Sequence, residues 1–219
     1  MVIAIDGPAG SGKSTTAMHV ASKLGFIHIN TGSMYRAIAL KCINNNIVPS
    51  DLNNMEIMLN DTSFRFCGEG SFKLLMDNEE ICSDIFSSKV TSYVSQISAI
   101  PLVRMKLVKF QREMSKCKNV VLEGRDIGTI VFPNARFKFF LIADIEERAR
   151  RRKKDIESEG GEITIKELIH QIDLRDEKDS NRDHSPLKKA NDAIVIDTTD
   201  LSIEEQVNYI VGLVNNNNK

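Results

Sequence analysis

The chain predicts an α/β fold of three layers around a mostly parallel sheet, and three observations support that. Apolar runs of strand length recur, VIAI at 2–5, VVLEGRD from 120, FKFFLIA at 137–143 and AIVID at 193–197; continuous runs of this kind suit strands covered on both faces. Segments of helical periodicity alternate with them. A glycine-rich loop follows the first strand and opens a helix.

The elements follow in order. After the first strand and its loop, Ala17, Val20, Ala21 and Leu24 recur at helical spacing, and Gly25 is a natural stop. FIHIN is a short strand, and TGSMYR leads into a helix reaching about residue 46, broken by IVPSDLNN. Residues 63–81 read as a hairpin or small meander around Gly68 and Gly70. Residues 86–116 read as helix, interrupted near Pro101. After the strand at 137–143 comes a basic helix, EERARRRKKD, then a turn at SEGGE and a polar helix over 164–178. Behind the last strand, Ser202 and Glu205 match a capping box, and the terminal NNNNK is expected to fray. The regions 63–100 and 145–185 read as insertions between core strands, within one 219-residue domain.

Composition narrows the function. Hydrophobic residues make up 42% and charged residues 27%, enough apolar material for a sizeable core, and the formal net charge is −1. No basic excess favours a nucleic-acid partner, so any anion site must come from local Arg and Lys clusters. Cys42, Cys67, Cys82 and Cys117 form no CxxC pair and have no His at metal-ligand spacing, which fits reduced thiols in a cytoplasmic protein. The first apolar run stops at Asp6, too short for a signal peptide or a membrane span.

Residues 7–14, GPAGSGKS, fit GxxxxGK[ST] in full. The glycines let backbone N–H groups curl around phosphate oxygens, and the following helix start adds partial positive charge. Lys13 would reach the outer phosphates of ATP, and Ser14 would coordinate Mg²⁺. The loop, Gly7, Pro8, Ala9, Gly10, Ser11, Gly12, Lys13, Ser14 and Thr15, is thus the candidate ATP site. No NKxD or LSGGQ-like segment accompanies it, which points to a small-molecule phosphotransferase.

Transfer between two multiply charged anions needs cations on both sides. Arginines stand in separate places: Arg36, Arg104, Arg125, Arg175 with Arg182, and a cluster from Arg148 to Arg152. Taken singly, Arg36 and Arg104 also read as exposed helix residues. Arg125 differs, because Glu123-Gly124-Arg125-Asp126 follows a buried strand, where ligands collect in open α/β sheets.

The ordered set IDGPAGSGKST, TGSMYR, VVLEGRDIGTIVFP and LRDEKDSNRD resembles the bacterial cytidylate kinases, and the match runs through essentially the whole chain. The resemblance implies a P-loop kinase core with a monophosphate-binding insert at about 35–105 and a helical lid at about 148–185. It implies ATP-dependent phosphorylation of CMP and dCMP with Mg²⁺; separately, the charged lid and inserted hairpin suit a monomer, and charge and run lengths argue for no nucleic-acid or membrane partner. By the same resemblance Thr31, Tyr35 and Arg36 hold the acceptor phosphate, together with Arg125 and Arg182. Ser95, Arg104 and Asp126 read cytosine, and Arg175 and Asp179 contact the ribose. Lys13, Arg125, Arg148, Arg152 and Arg182 make up the catalytic set, with Arg151 a substitute for Arg148 or Arg152.

Chemistry supports the base assignment independently: cytosine offers an N4 amino donor to a carboxylate, whereas uracil puts a carbonyl there. Two positions depart from the family pattern, Asn30 and Glu123 each standing where Asp is usual. His19 and His28 read as packed or surface residues, and His184 has no required role. A UMP kinase, a kinase of a non-nucleotide acceptor such as shikimate, and a nucleotide-sensing module remain as alternatives.

Overall fold

The computed structural model describes residues 1–67, 73–81, 83–158 and 160–216. In chain order the elements are β1 (Val2–Asp6), α1 (Lys13–Leu24), β2 (Ile27–Asn30), α2 (Thr31–Asn44), α3 (Leu52–Asn60), β3 (Phe64–Cys67), β4 (Lys73–Met76), β5 (Glu79–Glu80), α4 (Ser88–Ile97), α5 (Pro101–Met114), β6 (Val120–Gly124), β7 (Phe137–Ile142), α6 (Ile145–Ser158), α7 (Ile165–Ser180), β8 (Ile194–Asp197) and α8 (Ile203–Asn216). A 3₁₀ turn at Ser83–Phe86 and a π-helical turn at Ile127–Val131 complete the set. They form two compact units, Met1–Ile29 with Lys118–Lys219, and Asn30–Cys117.

The first unit is built on a five-stranded sheet of order β2-β6-β1-β7-β8. β1 runs parallel to β6 and β7, and β7 parallel to β8, so the α/β class with a mostly parallel sheet is as the sequence predicts. β6 is buried along its whole length and β1 from Ile3 to Asp6, which is why these runs show no polar alternation. On one face Ile3, Ile5, Val121, Phe139, Leu141 and Ile196 pack with Ala17, Val20 and Ala21 of α1 and Val207, Ile210 and Val214 of α8. The expected α8 capping box is present: Glu205 N–H donates to Ser202 Oγ at 3.3 Å, and Glu205 Oε2 accepts from Ser202 N–H at 2.8 Å. Thr164 and Glu167 form a second one at the start of α7.

The second unit carries an antiparallel sheet of order β3-β4-β5 together with α2–α5. The expected turn at Gly68 and Gly70 lies outside the described residues. The β4–β5 hairpin turns at Asp77 and Asn78, both at positive φ (53° and 72°), as a two-residue hairpin turn requires. The break after α2 is shorter than expected, because Leu52 to Asn54 already belong to α3. Asp51 caps that helix, accepting Asn54 N–H at 3.1 Å, and Met55, Met58 and Leu59 are its buried face. Pro101 opens α5, where its missing N–H costs nothing.

Asp6 ties β1 to the segment after β6. Its two carboxylate oxygens accept the backbone N–H groups of Ile127 and Gly128, each at 2.8 Å. Burial, opposed by those two bonds, pushes its carboxyl up from 3.8 to about 6. A folded-state value above the unfolded one means that the native state holds an extra proton between the two. This group's contribution to stability is therefore full below pH 3.8 and is lost as pH rises to about 6. Urea melts at pH 4, 5 and 6 should show wild type losing stability relative to Asp6→Asn over that window; a constant difference would refute the assignment.

Candidate active site

The phosphate loop joins β1 to α1 through backbone shapes that only glycine tolerates. A Cβ on Gly7 would lie 2.2 Å from the carbonyl oxygen of Leu141 on β7. Gly10 has φ 76°, and a Cβ there would sit 3.0 Å from Cβ of Arg148. The first turn of α1 contains no acidic residue of its own, which leaves the partial positive charge of its N–H groups available to an anion. Ser11 Oγ is buried without a hydrogen-bond partner among the described residues. Lys13 Nζ donates to Pro8 O at 2.9 Å. Burial first, and Arg125 second, lower the Lys13 ammonium from 10.5 to about 7. An anion arriving here meets donors already in place and a lysine whose charged form its presence favours.

At the end of β6, Glu123 is 2% exposed and accepts the Ser14 hydroxyl at 2.5 Å on Oε2. His28 on β2 lies 3.2 Å from its Oε1. Hydroxyl and carboxylate are the hard oxygen donors Mg²⁺ takes, and Ser14 is solvent-exposed, so these residues fit the cation the loop motif implies. Among the described residues no group of three or more His, Cys, Asp or Glu could hold a metal.

Beyond Glu123, Arg125 Nε donates to Asp179 Oδ2 at 2.9 Å, and Arg182 pairs with the other oxygen of the same carboxylate. Burial alone would push the Asp179 carboxyl upward; Arg125, Arg182 and Arg175 outweigh it and hold it below its ordinary value. Asp126 is 5% exposed and heads the π-helical turn, its carbonyl accepting Ile130 N–H at 2.8 Å. Such turns place one extra residue in a helical loop and recur at functional sites.

The basic helix α6 meets the loop through Arg148 and Arg151. Arg148 Nη1 donates to Ala9 O at 3.1 Å and pairs with Asp176, which also accepts Ala9 N–H at 3.2 Å. Arg151 donates to Thr198 Oγ1 at 3.1 Å, and the Thr198 hydroxyl lies between the Ser11 and Ile142 carbonyl oxygens, at 3.1 and 3.0 Å. Arg152 is half-exposed and faces Asp155 at 3.9 Å. Of the two arginines predicted for the lid, the structure brings Arg148 to the phosphate loop. Arg151, held only as a substitute, is the second to reach it. Asp176 lies within the LRDEKDSNRD motif but was given no role from the sequence, and Thr198 carried no signal of its own.

In the second unit, Arg104 is 4% exposed, donates to Ser98 O at 3.0 Å and stacks 5.3 Å from the Tyr35 ring centroid. Ser98 Oγ in turn donates to Ser95 O at 3.3 Å, so Tyr35, Ser95 and Arg104 share one neighbourhood. Arg36 donates to Ile85 O and Thr91 Oγ1, at 3.1 and 2.9 Å, over the Phe86 ring. Thr31 is buried at the first position of α2. Asn30 caps that helix, accepting Ser33 N–H at 2.9 Å, so the amide performs the capping an aspartate would, without its charge.

A family model described as "Cytidylate kinase" matches residues 3–216. The chain belongs to the cytidylate kinase family. Cytidylate kinase of Pediococcus pentosaceus is 47% identical, with 99% of this chain and 96% of that protein covered; that of Caldicellulosiruptor bescii is 46% identical, with 96% and 94% covered. An uncharacterized protein from Eubacterium ventriosum shares the fold at 13% identity, TM-score 0.50, with 98% of each chain covered. As a cytidylate kinase family member the chain is a phosphotransferase, moving a phosphoryl group from ATP to a nucleoside monophosphate. Among the described residues no helix is long and apolar enough to cross a membrane.

Proposed function

We propose that the enzyme phosphorylates CMP and dCMP with ATP and Mg²⁺ by direct in-line transfer, as a cytoplasmic monomer with no nucleic-acid or membrane partner. An acceptor phosphate oxygen bonds to the γ-phosphorus as the bond to the ADP oxygen breaks. The acceptor is already an anion at neutral pH, so positioning and charge stabilisation supply the catalysis. The observation that carries the reading is the buried Asp126 following Arg125, itself clamped on Asp179, at the carboxyl end of a central strand.

The roles follow from chemistry. Residues 7–15 hold ATP, with Lys13 on its outer phosphates. Ser14 would ligate Mg²⁺, with Glu123 orienting its hydroxyl, and bound there Mg²⁺ would supply charge neutralisation at the phosphates. Arg148 and Arg182, with Arg125, stabilise the transferring group. Arg152 belongs to the same assignment as a residue that reaches the site only on lid movement. Thr31, Tyr35 and Arg36 receive the acceptor phosphate, Ser95, Arg104 and Asp126 the cytosine, and Arg175 and Asp179 the ribose. Residues of about 35–105 form the monophosphate-binding insert, and about 148–185 the lid.

An ADP-release assay with Mg·ATP against CMP, dCMP, UMP and AMP tests this. CMP and dCMP should turn over best. UMP should be poorer in kcat/KM by about tenfold, since Asp126 would then face a carbonyl in place of an amino donor, a loss within about 1–3 kcal/mol. Asp126→Asn, whose amide both donates and accepts, should narrow the CMP-to-UMP ratio. A UMP rate equal to that for CMP would overturn the base assignment.

A further inference from the structure

We propose that His28 is a positioning residue for the cation corner of the active site, acting through Glu123 on Ser14; this rests on the Mg²⁺ reading above. Three elements converge there: His28 on β2, Glu123 on β6 and Ser14 in the first turn of α1. Glu123 is held at both ends, His28 Nε2 at 3.2 Å from Oε1 and Ser14 Oγ at 2.5 Å from Oε2. A carboxylate only accepts, so the His28 proton lies on Nε2 and the Ser14 proton points at Glu123. With its proton committed, the Ser14 oxygen keeps its lone pairs for a cation. Glutamate is a long side chain with freedom to lose, and removing the contact at either oxygen would leave the carboxylate less firmly oriented. His28 supplies the second anchor. Its side chain is 23% exposed and Glu123's 3%, so the ring closes the outer side of an otherwise buried carboxylate. Hydrogen-bond partners behind metal-ligating groups are worth roughly 10–100-fold in metal affinity.

The test compares wild type, His28→Leu, which removes the donor, and His28→Gln, which restores an N–H donor. ATP affinity is measured calorimetrically in excess EDTA and in Mg²⁺, beside the Mg²⁺ dependence of turnover. In wild type, Mg²⁺ should tighten ATP binding. His28→Leu should lose roughly tenfold of that enhancement, with its EDTA affinity and its kcat at saturating Mg²⁺ within about twofold of wild type; His28→Gln should recover most of it. If His28→Leu lowers the melting temperature, His28→Asn, whose shorter amide falls short of Glu123, carries the comparison. An undiminished Mg²⁺ enhancement in the donor-less variant would overturn the role, as would an equal loss of affinity in EDTA, which would mark His28 as a mere support of the loop. A wild type whose ATP affinity ignores Mg²⁺ would remove the cation reading itself, and this role with it.

Discussion

Asp179→Ala should lower the melting temperature by roughly 6–12 °C and reduce turnover at least 100-fold, the stability loss corresponding to about 3 kcal/mol. The carboxylate is 5% exposed and bridges two guanidinium groups, Arg125 and Arg182, whose side chains are 16% and 11% exposed. Removing it leaves two cations in a poorly solvated site without the carboxylate that bridges them. Taking away one partner of such a pair costs more than the pair contributes, because the remaining charge keeps its desolvation penalty. The value sits at the low end of the buried range because both arginines retain some water. Catalysis suffers separately: the guanidinium planes assigned to phosphate lose the fork that fixes their direction, and misplaced electrostatic groups cost about 10²–10³ in rate.

Asp179→Asn separates charge from shape. The amide keeps one acceptor oxygen for Arg125 but cannot neutralise either arginine, so stability should fall by less than in the alanine variant while kcat falls nearly as far. The pH dependence has a definite sign. The Asp179 carboxyl is held below its unfolded value of 3.8, so the bridge contributes fully above pH 3.8 and is lost as pH falls through the lower folded value. The gap in stability between wild type and Asp179→Asn should be constant from pH 5 to 7 and close below about pH 4. Thermal melts over that range, with turnover at pH 7, decide it. A variant as stable and as active as wild type at neutral pH would show that the bridge merely fills space.

Much of the site was legible because its chemistry is local in the chain. GPAGSGKS carries its own loop, helix start, lysine and hydroxyl within eight residues, and the strand runs declare burial by lacking alternation. Pairings across long separations were not legible. Asp6 and the Ile127 and Gly128 amides are 121 and 122 residues apart, and Asp176 and Ala9 are 167 apart; only the sheet order brings them together. The π-helical turn has no periodic signature of its own, since GRDIGT reads as a loop. In α6 every position from Arg150 to Lys154 is basic, so helical spacing alone could not choose among them. The choice depends on Thr198, which reaches the loop from beyond β8 and takes Arg151. His28 looked inert because a lone histidine in a strand usually is; its meaning depends on Glu123, 95 residues later.

Lys13→Met should lower kcat by about 10²–10³ while leaving the fold intact, and wild type should take up a proton as it binds ATP. Lys13 is 7% exposed, with its ammonium lowered to about 7 by burial and by Arg125. In the ligand-free enzyme at pH 8 most molecules therefore carry a neutral amine on the Pro8 carbonyl. A triphosphate beside it adds several negative charges, favours the ammonium and draws a proton from solvent. Calorimetry in buffers of differing ionisation enthalpy should show uptake approaching one proton per ATP at pH 8 and little at pH 6, where the lysine is already charged. Lys13→Met should abolish the difference after correction for protonation of ATP itself. The same shift predicts a rise in stability: between pH 7 and 10.5 the unfolded chain binds the extra proton, so this group favours the native state increasingly across that window. Equal proton uptake at both pH values would mean that Lys13 is charged before the nucleotide arrives, held against the cost of burial by the Pro8 carbonyl and the nearby charges of Glu123 and Asp179.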